Sequence, residues 1–208
     1  MNKKRFFILT ICLFALTLSS YAQGKVSTQS YTLKFGVKAG VNFANISNGS
    51  DINFSPGMKT DFHAGAAANF HFGRRNEGSP AGTGMFGLQP EILYSRQGFI
   101  FNEEAYNFNY FMIPVMFKLY FVEGINIEAG PYFNYLFGIS PNSTVINGAQ
   151  ISLSNLKGGM DVGLGIGAGY EMKSGLSIGA RYSIGLSDMS NNLAWKNNVI
   201  ALSVAWFF

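Results

Sequence analysis

Apolar and polar side chains alternate without a break over residues 34–43, with Phe35, Val37, Ala39, Val41 and Phe43 on one track and Lys34, Gly36, Lys38, Gly40 and Asn42 on the other. A period of two belongs to an extended strand, whose successive side chains point to opposite faces of a sheet. The same alternation predicts seven further strands, over residues 60–72, 85–97, 107–121, 125–137, 160–172, 176–186 and 198–208. Their apolar track is long and aromatic, as in Phe111, Ile113, Val115, Phe117, Leu119 and Phe121, or Ile200, Leu202, Val204, Trp206 and Phe208. The opposite track carries Asp61, His63, Asn69 and His71, then Gln89, Glu91, Ser95 and Gln97, and later Asp161, Glu171 and Arg181. No helical period appears beyond the first residues.

A closed sheet is one of two structures that can cross a bilayer with every backbone group paired. The pattern therefore predicts an all-β fold, an eight-stranded antiparallel up-and-down transmembrane β-barrel with its apolar track toward lipid. Longer polar segments, such as 45–59 and 139–159, follow the first, third, fifth and seventh strands, and shorter turns follow most of the others. That asymmetry predicts extracellular loops at one end, and short turns with both termini at the periplasmic end. Face parity across two of the hairpins requires loops with an odd number of residues. Residues 122–124 and 173–175 fit, each ending in the glycine that a three-residue hairpin places in the left-handed region. The Gly-rich segment 73–84 is the one long turn at that end.

Lys3, Lys4 and Arg5 precede an apolar run over 6–18, and Ser20 and Ala22 suit cleavage before Gln23. This predicts a cleaved secretory signal peptide over 1–22, since the run is too short to span. A short periplasmic tail over 23–33 and the barrel over 34–208 would follow, as a multi-pass protein of the outer membrane. The single cysteine, Cys12, lies inside the leader, so the mature chain would have no thiol. Of 15 basic residues three belong to the leader, leaving 12 against 11 acidic. Nucleic acid is not expected as a partner of so nearly neutral a chain.

An eight-stranded barrel has room inside for side chains or one small ligand. The inward charges predict a polar plug with a lumen charge network of Lys38, Asp61, Glu91, Lys118, Glu128, Asp161 and Arg181. Lys118 and Glu128 would face each other, and Glu91 and Arg181 would sit at similar heights. Gly163, Gly165, Gly167 and Gly169 would leave space for large neighbours such as Arg181 and Tyr132. No catalytic set, cofactor or metal site is expected. Gly163, Gly165 and Ala168, with Asp188 downstream, fit a dinucleotide fingerprint, but that site needs a helix where this alternation continues. Asp61 and His63 share a face and could orient a general base, against the plainer reading of a hydrogen-bonded lumen histidine. Glu103 and Glu104 offer an acidic spot for a cation, or simply a solvated pair.

The strings KFGVKAGVNFANIS (34–47), LQPEILYSRQG (88–98), IPVMFKLYF (113–121), AGPYFNYLFG (129–138), DVGLGIGAGYEM (161–172) and NNVIALSVAWFF (197–208) resemble the porin-like outer-membrane β-barrel family related to PorT. The resemblance implies an outer-membrane barrel without a transferable catalytic motif. The ending with Trp206 and Phe208 also resembles the signal read by the barrel-assembly machinery. The implied partners are outer-membrane lipid, that machinery during biogenesis, and an envelope protein. Three functions are compatible with this reading. The first is a non-enzymatic barrel acting in structure, recognition or limited small-solute passage; the second is an accessory barrel of a secretion or envelope-assembly complex; the third is an outer-membrane lipid-modifying enzyme.

Overall fold

Every stretch of alternation becomes a strand, and each strand pairs antiparallel with its neighbours until the last meets the first. The structure, a computed structural model, describes residues 31–48, 56–75, 84–121, 124–146, 149–152, 159–187 and 195–208. The strands are β1 (Thr32–Asn48), β2 (Gly57–Arg75), β3 (Gly84–Phe101), β4 (Glu104–Tyr120), β5 (Ile125–Ser140), β6 (Ser143–Ile146), β7 (Ala149–Ser152), β8 (Met160–Glu171), β9 (Leu176–Gly185) and β10 (Trp195–Phe207). Eight of them close a barrel in the order β1-β10-β9-β8-β5-β4-β3-β2, and β6 with β7 forms a separate hairpin. The seam runs from Gly36 opposite Phe207 to Asn48 opposite Trp195. Beyond it the Phe208 N–H donates to Phe35 O at 2.8 Å.

The end where β1 begins and β10 finishes has tight connections. Phe121 N donates to Ile125 O and Met172 N to Leu176 O, both at 2.7 Å, so each hairpin loop holds three residues. Gly124 (φ 88°) and Gly175 (φ 91°) take the left-handed region that a side chain disfavours. Val122 and Glu123 lie outside the described residues, as do the leader, residues 23–30 and Asp188. β1 begins at Thr32, so the last residues of the expected tail belong to the barrel. β2 continues through Gly73 to Arg75, and residues 76–83 of the expected long turn are outside the description.

The opposite, loop end departs from expectation. The expected polar loop between residues 97 and 107 is instead strand, running to Phe101 paired with Glu104. Asn102 (φ 50°) and Glu103 (φ 64°) alone make the turn. Both left-handed conformations in a two-residue connection are those of a type I′ hairpin, for which asparagine at the first position is favoured. The expected loop 139–159 likewise contains the hairpin of β6 and β7, paired from Ser143↔Ser152 to Ile146↔Ala149.

Through most of the barrel's height the outward face is apolar and exposed, including Phe35, Ile92, Phe111, Ile166, Val204 and Trp206. Near the loop end the two tracks exchange. On β1 the outward series ending in Phe43 gives way to Asn45 and Ser47, while Ala44 and Ile46 turn inward and are buried. On β10, Val199 is inward and Ile200 outward at the same level, since Ala44 faces Val199 and Phe43 faces Ile200. β4 and β5 exchange together too, with Tyr110 opposite Leu136 inside and Phe111 opposite Tyr135 outside.

Candidate functional site

The lumen is filled by side chains from every wall. Arg181 on β9 is its centre. Its Nη1 and Nη2 donate to Glu91 Oε2 (3.0 Å) and Oε1 (2.7 Å), and its Nε donates to Glu128 Oε1 (2.6 Å). A guanidinium presents a planar fork, so it can hold one carboxylate by two bonds and still reach a second. Glu91 Oε1 also accepts from Lys38 Nζ at 2.9 Å and Gln89 Nε2 at 2.6 Å. Lys118 lies opposite Glu128 in register, with Nζ 3.8 Å from Glu128 Oε2. These groups are nearly or fully shielded from solvent, which is tolerable only because each carboxylate has several partners.

The network needs space, and β8 supplies it. A Cβ on Gly165 would approach Arg181 Cδ and Met116 Cε to 3.3 Å, and one on Gly163 would strike the Tyr132 ring. β8 is strand from Met160 to Glu171, so the fingerprint glycines line a lumen wall and open no helix.

The structure separates the remaining expected members from this centre. Asp61 sits toward the loop end, bonded to Lys59 and 3.3 Å from Arg96 Nε. Asp161 accepts from Ser187 Oγ at 2.6 Å and Asn134 Nδ2 at 3.3 Å, and no described cation pairs with it. Seven charges expected to act as one network therefore form a five-residue centre and two outlying clusters. Toward the termini a further cluster gathers on Glu171, which accepts from Tyr120 OH (2.8 Å), Asn69 Nδ2 (3.0 Å) and Lys34 Nζ (3.4 Å).

Asp61 and His63 are not hydrogen-bonded to each other. Asn42 Nδ2 donates to Arg96 O (2.9 Å) and Ser95 Oγ (3.0 Å), which leaves its Oδ1 to accept from His63 Nδ1 at 2.8 Å. His63 Nε2 is then the acceptor for Ser203 Oγ at 3.0 Å. The imidazole reaches Ser203 across Gly40, which is register partner to both. A hydroxyl, an imidazole and an orienting amide in this order resemble a nucleophile with its base. The two lumen cavities that Ser203 lines measure about 30 and 20 Å³, room for a water or two, and a wide apolar groove of about 730 Å³ beside Val41, Leu202 and Val204 also borders Ser203.

Sequence reasoning missed the loop-end interior. Phe99, Tyr106, Phe108 and Tyr110 are buried there. Phe99 stacks on Tyr106 with centroids 4.8 Å apart and meets Phe108 edge-on at 5.8 Å. Ala44, Ile46, Leu136, Ile139 and Val199 complete this layer. The expected polar plug is therefore polar only in its middle and terminal levels. A signal existed: adjacent apolar residues such as Tyr110-Phe111 break the alternation where the tracks exchange.

Trp206 and Phe208 point outward, half and three-quarters exposed, at the terminal end of the seam. Glu103 forms the tip of the β3–β4 turn, and Glu104 accepts from Tyr106 OH at 2.9 Å. Among the described residues no group of three or more acidic, histidine or cysteine side chains is placed to hold a metal.

The barrel has counterparts in fold among solved structures. The attachment invasion locus protein Ail of Yersinia pestis is similar at TM-score 0.50 and 14% identity, over 84% of this chain and 98% of that one. Neisserial surface protein A is similar at TM-score 0.51 and 12% identity, over 84% and 97%. At these identities the likeness is one of fold. No curated protein matches the chain. Residues 21–191 match the family model described as outer membrane protein beta-barrel domain, a broader grouping than the PorT-related branch suggested by the sequence strings. The chain belongs to this outer-membrane β-barrel family, and the membrane its apolar belt meets is the outer membrane.

Proposed function

We propose that this protein is a non-enzymatic, non-conducting barrel that works from its loop end, in recognition or attachment at the cell surface. The observation that carries the reading is the filling of the bore, by the Arg181 network at mid-height and by the buried Phe99, Tyr106 and Phe108 rings toward the loop end. A solute would have to displace buried ion pairs and then a packed aromatic layer. With the bore closed, chemistry is left to the rims. The loop end carries the tall β3–β4 hairpin and the β6–β7 hairpin, whereas two of the three connections at the terminal end are three-residue turns. That asymmetry favours an outward loop end and periplasmic termini. The name of Ail illustrates one use of a barrel with this fold, attachment.

Planar-bilayer recording of the purified full-length chain tests closure. Wild type is expected to give no steady openings; large steady steps would overturn the reading. Orientation is tested by labelling intact cells with a membrane-impermeant maleimide. Asn102→Cys should react and Ser174→Cys should not, and the reverse result would place the loop end inside.

A further inference from the structure

Among the described residues, the middle and terminal levels of the lumen taken together are not electrically neutral. Lys34, Lys38, Lys118 and Arg181 bring four positive charges, and Glu91, Glu128 and Glu171 bring three negative ones, with both histidines counted as neutral. The other inward carboxylates do not reach this group: Asp61 is held by Lys59 and Arg96, and Asp161 by Ser187 and Asn134.

The surplus is localised at Lys118. Lys118 is 4% exposed, yet the carboxylate oxygen within 4 Å of its Nζ among the described residues is Glu128 Oε2 at 3.8 Å, beyond hydrogen-bond length, and Glu171 acts on it only at longer range. The other oxygen of that carboxylate is taken by Arg181 Nε at 2.6 Å. Lys34, Lys38 and Arg181 all have a carboxylate oxygen within 3.4 Å. Lys118 instead lines a cavity of about 30 Å³, together with Lys38, Arg181, Asn126 and Ser177 and with apolar groups of Ile178, Ala180 and Phe207. A water occupies about 10–15 Å³ by this measure, so the cavity has the volume of about two waters or of one monatomic anion.

We propose that this cavity binds one monovalent inorganic anion of halide size, held between the Lys118 and Lys38 ammonium groups, which makes these two levels of the lumen neutral. Water alone would solvate Lys118 but leave a net charge enclosed in a low-dielectric wall, and an uncompensated buried charge is strongly disfavoured. The small volume selects against sulfate, phosphate and organic carboxylates. This assignment does not depend on whether the barrel conducts or what its loops recognise.

The test uses the purified full-length chain and bromide or chloride as probe. Folded and unfolded barrel are separated by heat-modifiable gel migration in sodium bromide, sodium chloride or sodium gluconate at equal ionic strength. Halide should raise the wild-type midpoint by on the order of 5 °C over gluconate when it is well above its dissociation constant. Lys118→Met leaves three charges of each sign, so its midpoint should no longer respond to halide. Crystals grown in bromide should show an anomalous peak beside Lys118. Equal wild-type midpoints in halide and gluconate would overturn the proposal, including the case in which an ammonium sheds its proton instead. So would bromide found only on the protein surface, an adventitious ion only. The wild-type measurements stand even where Lys118→Met fails to fold.

Discussion

At mid-height β4 shows phenylalanine and isoleucine to the outside and lysine to the inside; a few residues further along it shows asparagine to the outside and aromatic rings to the inside. Phe117 and Lys118 typify the first level, Asn109 and Tyr110 the second. The same backbone, in the same sheet, obeys opposite rules because its surroundings change. Where the wall meets hydrocarbon, apolar groups gain nothing from hiding and polar groups must turn to the lumen, each needing a partner there. Above that belt the wall meets water, and the interior becomes an ordinary apolar core. The molecule is thus an inverted barrel joined end to end with a conventional one, and the joint lies where Phe43-Ala44, Val199-Ile200, Tyr110-Phe111 and Tyr135-Leu136 interrupt the alternation.

The two levels should fail differently. Arg181→Met removes the group that serves both Glu91 and Glu128, and leaving two buried carboxylates under-partnered should cost about 3–5 kcal/mol, read as a fall in the urea midpoint of the folded band. Phe108→Ala tests the conventional level: it vacates a fully buried ring for about 3 kcal/mol and should leave conductance silent, because the charged level still closes the bore. Arg181→Ser alone should also be silent, and only its combination with Phe108→Ala should produce steps in a bilayer recording. Steps from either single change would show that one level does the closing by itself. Gly163→Ala drives a methyl into Tyr132 and should cost about 1–3 kcal/mol by overpacking. Tyr120→Phe deletes one donor to Glu171 and should cost about 1–2 kcal/mol. The smallest effect has the opposite sign. Glu103→Gly converts the turn to Asn-Gly, the pair such hairpins prefer, and should stabilise by about 0.5 kcal/mol in the same urea titration.

Much of the inverted level was readable in advance, because a face that alternates Phe35, Val37, Ala39 and Val41 has one interpretation at a period of two. Strand number and facing follow from the alternating stretches, and the pairing of Lys118 with Glu128 from parity together with a three-residue loop ending in Gly124. What parity cannot supply is reach: Asp61 was already expected near the outer end of its strand, yet it and Asp161 were grouped with the central charges, and the register sets both toward the loop end, out of contact with Arg181. The reach of one side chain over another is equally hidden: that His63 crosses Gly40 to Ser203 depends on three adjacent strands meeting at one level. The conventional level escaped in part because residues 98–106, outside the stretches of clear alternation, read as a loop, although Asn107 and Asn109 already stood within the expected fourth strand. Glu103 at a left-handed position gave no hint of a two-residue turn, since glycine would be the usual signal there.

The bond from the Phe208 amide to Phe35 fixes when the ring can form. β10, which completes the wall, follows the other seven strands of the ring along the chain, and the edge of β1 that it must reach is made first. No shorter chain can seal itself, so every prematurely ended molecule carries two raw β-edges able to zip onto a neighbour. Assembly consequently waits for β10, slow by the logic of distant contacts, and deletion of even the last few residues of β10 should be felt as aggregation before it is felt as lost binding.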